Sequence, residues 1–90
     1  MTVKVRLSNL LRQATDWQEI VEVTAKTPEE CLHAVVTQFP DVRKWIYDKK
    51  GKMWDRIQFF VNGKRIDRDQ LGKPIQDGDE LHILLNIGGG

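Results

Sequence analysis

One segment constrains the fold more than any other, the stretch "TPEECLHAVVTQF" at residues 27–39. Thr27 is a good helix N-cap, Pro28 suits the first helical position, and Glu30 follows Thr27 by three residues, as a capping box requires. Apolar side chains then recur on one helical face, at Leu32, Val35, Val36 and Phe39. Pro40 predicts the end of the helix. The segment therefore predicts one amphipathic helix whose apolar face packs against a sheet.

Two alternating segments before this helix predict strands. "TVKVRLS" places Val3, Val5 and Leu7 on one side, and "EIVEVTA" does the same with Val21 and Val23. The intervening "NLLRQATDWQ" is polar and predicts a turn-like connection. Because the two strands are close in sequence, we expect them to pair as a hairpin.

The segment after the helix, "DVRKWIYDKKGK", predicts a short second helix. We expect Asp41 to cap it and Gly51 to end it. Its inward-facing residues would be Val42, Trp45 and Ile46.

The last third of the chain predicts further strands and two tight turns. "MWDRIQFFVNGKRID" indicates a strand, a turn at Asn62-Gly63 and a short return strand, because both central residues of a type I′ turn need positive φ. A second turn is expected at Asp77-Gly78. In the final "ELHILLNI", one face of the strand is apolar, comprising Leu81, Ile83, Leu85 and Ile87.

This order of elements predicts an α+β fold of the β-grasp arrangement. A mixed sheet of four or five strands packs on one main helix, accompanied by a short second helix. The first and last strands can lie parallel in the centre of the sheet. We expect the domain to span residues 1–87 and a flexible glycine tail to occupy residues 88–90.

Composition excludes several classes of function. The chain has 90 residues and a net charge of +1, so we expect no bulk electrostatic binding to nucleic acid or to an anionic membrane. No apolar run approaches the roughly 20 residues of a membrane span. The single cysteine, Cys31, predicts neither an internal disulfide nor a zinc cluster, and a reducing, cytoplasmic setting is expected.

The sequence contains no recognisable catalytic constellation. His33 and His82 have no nearby residues at metal-ligand spacing. Cys31 is interpreted as structural, because Glu29 and Glu30 oppose ionisation of its thiol. The sequence also lacks a phosphate loop and a nucleophile elbow. We therefore expect no enzyme active site, no bound metal and no bound cofactor.

The final "HILLNIGGG" is the remaining candidate for chemistry. Three glycines there are compatible with simple disorder, but they follow an apolar strand without a polar linker. The segment "PIQDGDELHILLNIGGG" resembles the end of the MoaD/ThiS family of ubiquitin-like sulfur carrier proteins. "LLR" at 10–12, "FPDVRKWI" at 39–46 and "VNGKRI" at 61–66 align with that family in order. The succession is most similar to the molybdopterin-type and cysteine-biosynthesis-type carriers.

The resemblance implies a function for the terminal carboxylate of Gly90. An E1-like adenylyltransferase would activate it with ATP, and a sulfurtransferase or cysteine desulfurase would supply sulfur to form a thiocarboxylate. The acceptor would be an enzyme such as the molybdopterin synthase large subunit or a cysteine synthase. Gly88 and Gly89 would enter the channel of a partner, where side chains would obstruct passage. The carrier itself would not be an enzyme.

A carrier also needs a face for its partners. If the last strand neighbours "IQFFV", Phe60 and Leu84 form an apolar patch beside His82, with Lys4 and Arg6 nearby. A covering loop is the alternative, since scattered exposed apolar residues are common. Two other functions stay open, a ubiquitin-like modifier attached to lysines and a binding module with an inert tail.

Overall fold

The computed structural model describes residues 2–85, and its centre is a mixed five-stranded sheet. The strands are β1 (Thr2–Leu7), β2 (Ile20–Thr24), β3 (Ile57–Val61), β4 (Lys64–Ile66) and β5 (Glu80–Leu85). Their spatial order is β2-β1-β5-β3-β4. β5 pairs in parallel with β1 and antiparallel with β3, while the hairpins β1–β2 and β3–β4 are antiparallel. The predicted fold class and the parallel first and last strands are confirmed. The predicted domain boundary at residue 87 lies outside the described residues.

The main helix begins as its sequence predicts. The helices are α1 (Asn9–Arg12), α2 (Pro28–Gln38) and α3 (Arg43–Ile46), with 3₁₀ turns at Pro40–Val42 and Arg68–Gln70. At the start of α2, the Glu30 N–H donates to the Thr27 hydroxyl oxygen at 3.1 Å. The reciprocal bond differs from the predicted capping box, because the Glu30 carboxylate accepts from the N–H of Lys26 rather than of Thr27. The Glu30 carboxylate thus holds the backbone at Lys26, one residue before the expected position at Thr27.

The core lies between α2 and one face of the sheet. Alternate strand residues and one side of α2 are buried there, as their patterns predict. Leu11 and Ile46 join them from α1 and α3, and Val42 joins them from the 3₁₀ turn before α3. Val36, Phe39 and Trp45 are partly buried against this core. Because burial alternates along β5, Leu81, Ile83 and Leu85 face the core and the residues between them face outward. No helix in the described part of the chain is long and apolar enough to cross a bilayer.

Three local predictions around the short helices were wrong. The connection after β1 contains α1, because the N–H groups of Leu11 and Arg12 both bond to the Ser8 carbonyl. Asp41 does not cap α3, since it lies in the preceding 3₁₀ turn and the N-cap position is Val42. The helix also ends at Ile46, well before Gly51.

The segment that follows α3 is a turn rather than helix or strand. Tyr47 and Met53 form an antiparallel bridge, and the Asp48 carboxylate accepts from the N–H groups of Lys50 and Lys52. Gly51 takes a φ of 84° within this turn. As a result β3 begins at Ile57, four residues later than the aromatic-rich sequence suggests.

The two predicted tight turns lie together at one end of the sheet. Asn62 and Gly63 both have positive φ, 51° and 85°, as a type I′ hairpin turn requires. The Asn62 amide donates to the Asp79 carboxylate at 3.0 Å and accepts from the Glu80 N–H at 2.9 Å. The hairpin turn therefore fixes the start of β5.

Candidate functional site

The end of β5 is held on both sides. Leu85 is the register partner of Ile57 in β3. On the other side, the Ser8 N–H donates to the Ile83 carbonyl and the Leu85 N–H donates to the Ser8 hydroxyl, each at 3.2 Å. Ser8 is buried, so this clasp is shielded from water. The chain beyond Leu85 therefore starts from a fixed point in the middle of the sheet.

The predicted reactive residue and its neighbours lie outside the described residues. This applies to Gly90 and to the predicted channel residues Gly88 and Gly89. The geometry that can be described is that of β5, which leads to them, and of the surfaces around it.

All five residues of the predicted partner face lie on the sheet face opposite the core. Arg6, His82 and Phe60 form one row across three strands, because Arg6 and Phe60 are both register partners of His82. The Phe60 and His82 ring centroids are 5.9 Å apart. Leu84 follows on β5, and Lys4 precedes Arg6 on β1. Phe60, His82 and Leu84 are half-buried and lie together, with Leu84 opposite Gln58 and diagonal to Phe60. Lys4 is exposed but lies opposite Glu80, so the sheet places it at the other end of this face from Leu84.

The charge on this face is more balanced than the sequence suggests. Arg6 forms ion pairs with Glu80 and Glu19, and Arg12 approaches the same Glu19 carboxylate at 3.7 Å. The Arg6 hydrogen bond lowers the pKa of Glu80, which stays ionised at neutral pH. Arg6 therefore orders the outer face and is not a free cation for a partner.

His82 contributes a neutral ring to the face. Burial lowers its pKa below the ordinary value, and the positive charge of Arg6 lowers it further. The imidazole consequently lies beside the Phe60 ring, tilted by 41° to it, without a charge near pH 7.

The other titratable candidates do not form a catalytic site. Cys31 is fully buried in α2, and burial raises its pKa to about 11, which keeps the thiol protonated. His33 is exposed on the same helix. Within residues 2–85 no group of three or more His, Cys, Asp or Glu side chains is placed to hold a metal ion.

A groove at the end of β5 was missed by the sequence reasoning. Its lining residues are Lys44, Trp45, Trp54, Arg56 and Leu85, and its volume is about 270 Å³. We call it the tryptophan groove. Trp54 is 45% exposed, unusual for so large an apolar side chain. The concentration of basic and aromatic residues in 43–56 was the available signal, but only the fold brings Leu85 beside them.

The strand order, the helix across one sheet face and the central parallel pair define a ubiquitin-like β-grasp protein. The ThiS family model matches residues 5–90, nearly the whole chain. The chain therefore belongs to the ThiS family of small ubiquitin-like sulfur carriers and modifiers.

Solved structures agree with this assignment. A chain of the BexX/CysO complex of Amycolatopsis orientalis is 29% identical with a TM-score of 0.80, over 98% of this chain and 99% of that one. Small archaeal modifier protein 1 of Methanosarcina acetivorans is 25% identical with a TM-score of 0.83, over 99% and 96%. SAMP1 of Haloferax volcanii, at 24% identity and a TM-score of 0.85 over the full length of both chains, supports the fold. No curated protein sequence gave a significant match.

Proposed function

We propose that this protein is a sulfur carrier whose C-terminal Gly90 is adenylated and then converted to a thiocarboxylate. The observation that carries the proposal is the family match, which extends through the glycines to residue 90. The buried Ser8 clasp supports it, because it gives the chain beyond Leu85 a fixed starting point.

The chemistry follows from the poor reactivity of a carboxylate. A Gly90 carboxylate oxygen attacks the α-phosphorus of ATP, pyrophosphate leaves, and an acyl-adenylate forms. A thiol reductant releases hydrosulfide from the persulfide of the donor and is left in a disulfide with it. The hydrosulfide then attacks the acyl carbon and displaces AMP, which leaves the thiocarboxylate. Its sulfur is a soft nucleophile that can be transferred to an acceptor. ATP is bound by the activating partner, so the carrier needs no cofactor of its own.

The residues of this chain bind the partner and position the C-terminal glycines for it. The rigid sheet positions the chain beyond β5, while Phe60, His82, Leu84 and Lys4 offer a partner face with Arg6 as its ordering residue. Gly88 and Gly89 pass through the partner's channel because they lack side chains that would collide with its walls. Catalysis belongs to the partners.

Three kinds of protein partner follow from this cycle. An E1-like adenylyltransferase activates Gly90, a sulfurtransferase or cysteine desulfurase donates sulfur, and an acceptor enzyme receives it in the cytoplasm. The structurally similar chain from Amycolatopsis orientalis comes from a two-protein complex, which supports protein partners for this chain. The acceptor pathway would be that of molybdopterin, cysteine or a related sulfur-containing metabolite.

Intact mass spectrometry tests the proposal directly. Protein purified from its own host is expected to contain a species in which one oxygen is replaced by sulfur. Deleting residues 88–90 removes that species, and Gly89→Val depletes it. Gly72→Val is the matched control, since a Cβ at Gly72 meets nothing within 4 Å. Absence of the sulfur-containing species under conditions that demand sulfur transfer would refute the proposal.

A ubiquitin-like modifier is the second candidate. The similarity to small archaeal modifier protein 1 at 25% identity favours it. In that case the Gly90 carboxylate forms an isopeptide bond with lysines of other proteins, and immunoblots show larger conjugates that disappear when residues 88–90 are deleted. A ladder without any sulfur-containing monomer would select the modifier over the carrier.

A further inference from the structure

Positive charge is concentrated in one segment beside the end of β5. Residues 43–56 contain six Lys or Arg and two Asp or Glu, a net charge of +4. The remainder has eight Lys or Arg and eleven Asp or Glu, a net charge of −3. A nearly neutral chain thus carries a basic region where Trp45 and Trp54 line the tryptophan groove.

The walls of the groove are fixed by backbone contacts. The Trp54 N–H donates to the Ile46 carbonyl at 2.9 Å, which joins the segment to α3. The Arg68 guanidinium donates to the carbonyls of Met53, Trp54 and Ile57 and so holds the other end of the segment. The backbone of the groove is therefore held in place without a ligand, which lowers the entropic cost of binding one.

The cations of the groove are not neutralised within the described part of the chain. Every ion pair among residues 2–85 involves Arg6 or Arg12, so none includes Lys44 or Arg56. Both side chains are exposed. A ligand with carboxylates would find two available cations on either side of an apolar wall.

The groove continues into a second, open depression of about 570 Å³ that shares Lys44 and Trp54. Arg43 and Lys49 add positive charge to that depression, but Asp41 and Asp48 also line it. These carboxylates would repel the continuous phosphate backbone of a nucleic acid. A peptide can instead place its acidic residues only where the cations lie.

We infer that the tryptophan groove docks an acidic, extended segment of the partner protein that acts on the C-terminal glycines. Carboxylates of this segment pair with Lys44 and Arg56, while an apolar side chain packs between Trp45 and Trp54. Leu85 lines the groove and lies five residues before Gly90, so the groove is next to the point where the chain leading to the glycines begins. The inference rests on the proposed function for the identity of the partner.

Peptide binding provides the first test. An NMR titration of the full chain uses a synthetic peptide of alternating Glu and Leu, with a Lys and Leu peptide and a single-stranded oligothymidine as comparisons. The Glu and Leu peptide is expected to shift the resonances of Lys44, Trp54 and Arg56, with an affinity that falls as salt rises. The double variant K44E/R56E should weaken binding roughly tenfold or more.

The matched control is K64E/K73E, which makes the same change in net charge. Lys64 begins β4 at the end of the sheet opposite Leu85, and Lys73 is exposed in the loop before β5. This variant should keep nearly full affinity. Equal loss in both variants, no shift with the acidic peptide, or preferential binding of oligothymidine would overturn the inference.

Measuring the sulfur-containing fraction in the host distinguishes a failure of the docking inference from a failure of the proposed function. K44E/R56E should lower the sulfur-containing fraction severalfold relative to K64E/K73E, with both variants folded by circular dichroism. Normal loading of K44E/R56E would overturn the docking role while leaving the carrier function intact. If the unmodified chain carries no sulfur but binds the acidic peptide through these residues, the proposed function fails and the peptide site remains.

Discussion

Single residues on the outer face respond to pH in ways that their burial determines. Burial and the charge of Arg6 lower the pKa of His82 in the folded protein. As the pH falls, His82 is therefore protonated in the unfolded chain at a higher pH than in the folded chain. The stability due to neutral His82 is thus complete above the ordinary value of 6.5 and decreases as the pH falls through it. Urea midpoints at pH 7.5 and 5.5 should show a drop for the unmodified protein and a smaller one for His82→Gln.

The same measurement excludes the neighbouring carboxylates as the cause. The pKa values of Asp79 and Glu80 are lowered by hydrogen bonds, from Asn62 and Arg6 respectively. Their contributions are lost only below their ordinary values of 3.8 and 4.5, outside the chosen window. Equal drops in the unmodified protein and His82→Gln would contradict the assignment to His82.

Burial of Cys31 suppresses the reactivity of its thiol. Its thiol is fully buried and its pKa is raised to about 11 by desolvation, with Glu30 as a smaller cause. At pH 8, three pH units below that value, roughly one thiol in a thousand is ionised. The folded protein should therefore react with a disulfide reagent such as DTNB orders of magnitude more slowly than the urea-unfolded chain. Similar rates in both states would contradict this prediction.

At the scale of elements, the β3–β4 turn depends on backbone conformation. Gly63 has a φ of 85°, where a Cβ costs about 1–2 kcal/mol, although nothing lies within 4 Å of one. Gly63→Ala should therefore destabilise the protein by about 1 kcal/mol or more in urea unfolding. Gly72 has equally open surroundings without a positive φ, so Gly72→Ala should be neutral or slightly stabilising. Equal effects would indicate that the positive φ of Gly63 does not control the preference for glycine there.

Most elements could be predicted because their signals are local. The alternation of β1 and β5, the Thr27 cap and the Asn62-Gly63 turn each lie within a few residues. The errors fall where distant residues decide the structure. Arg68 donates to the carbonyls of Met53, Trp54 and Ile57, so the residues before Ile57 form a turn and not the predicted strand.

The candidate site could be predicted only in part for the same reason. The partner face followed from alternation once β3 and β5 were taken as neighbours. The tryptophan groove needs α3, the turn after it and Leu85 together, and no short sequence window contains all three. The Arg6–Glu19–Arg12 cluster was also missed, because Glu19 comes from the loop before β2.

On the scale of the whole molecule, different contacts hold the two ends of the central strand β5. One end holds the turns that fix the start of β5 through Asn62 and Asp79. The other holds the Ser8 clasp and the tryptophan groove around Leu85. The central strand is thus held by hydrogen bonds at both ends, which supports the proposed role of the domain as a handle for the residues after 85.

The two faces of β5 should therefore separate stability from partner recognition. Ile83 is fully buried, and Ile83→Ala should cost about 2–5 kcal/mol in urea unfolding through the cavity it leaves. Leu84 is half-buried on the outer face, and Leu84→Ser should cost about 1 kcal/mol or less. If the outer face docks the activating partner, Leu84→Ser nevertheless lowers the sulfur-containing fraction in intact mass spectra more than Ile83→Ala does, once each is normalised to folded protein. Equal normalised fractions would mean that loading follows stability alone, and equal or reversed values would mean that the outer face of β5 does not bind the partner.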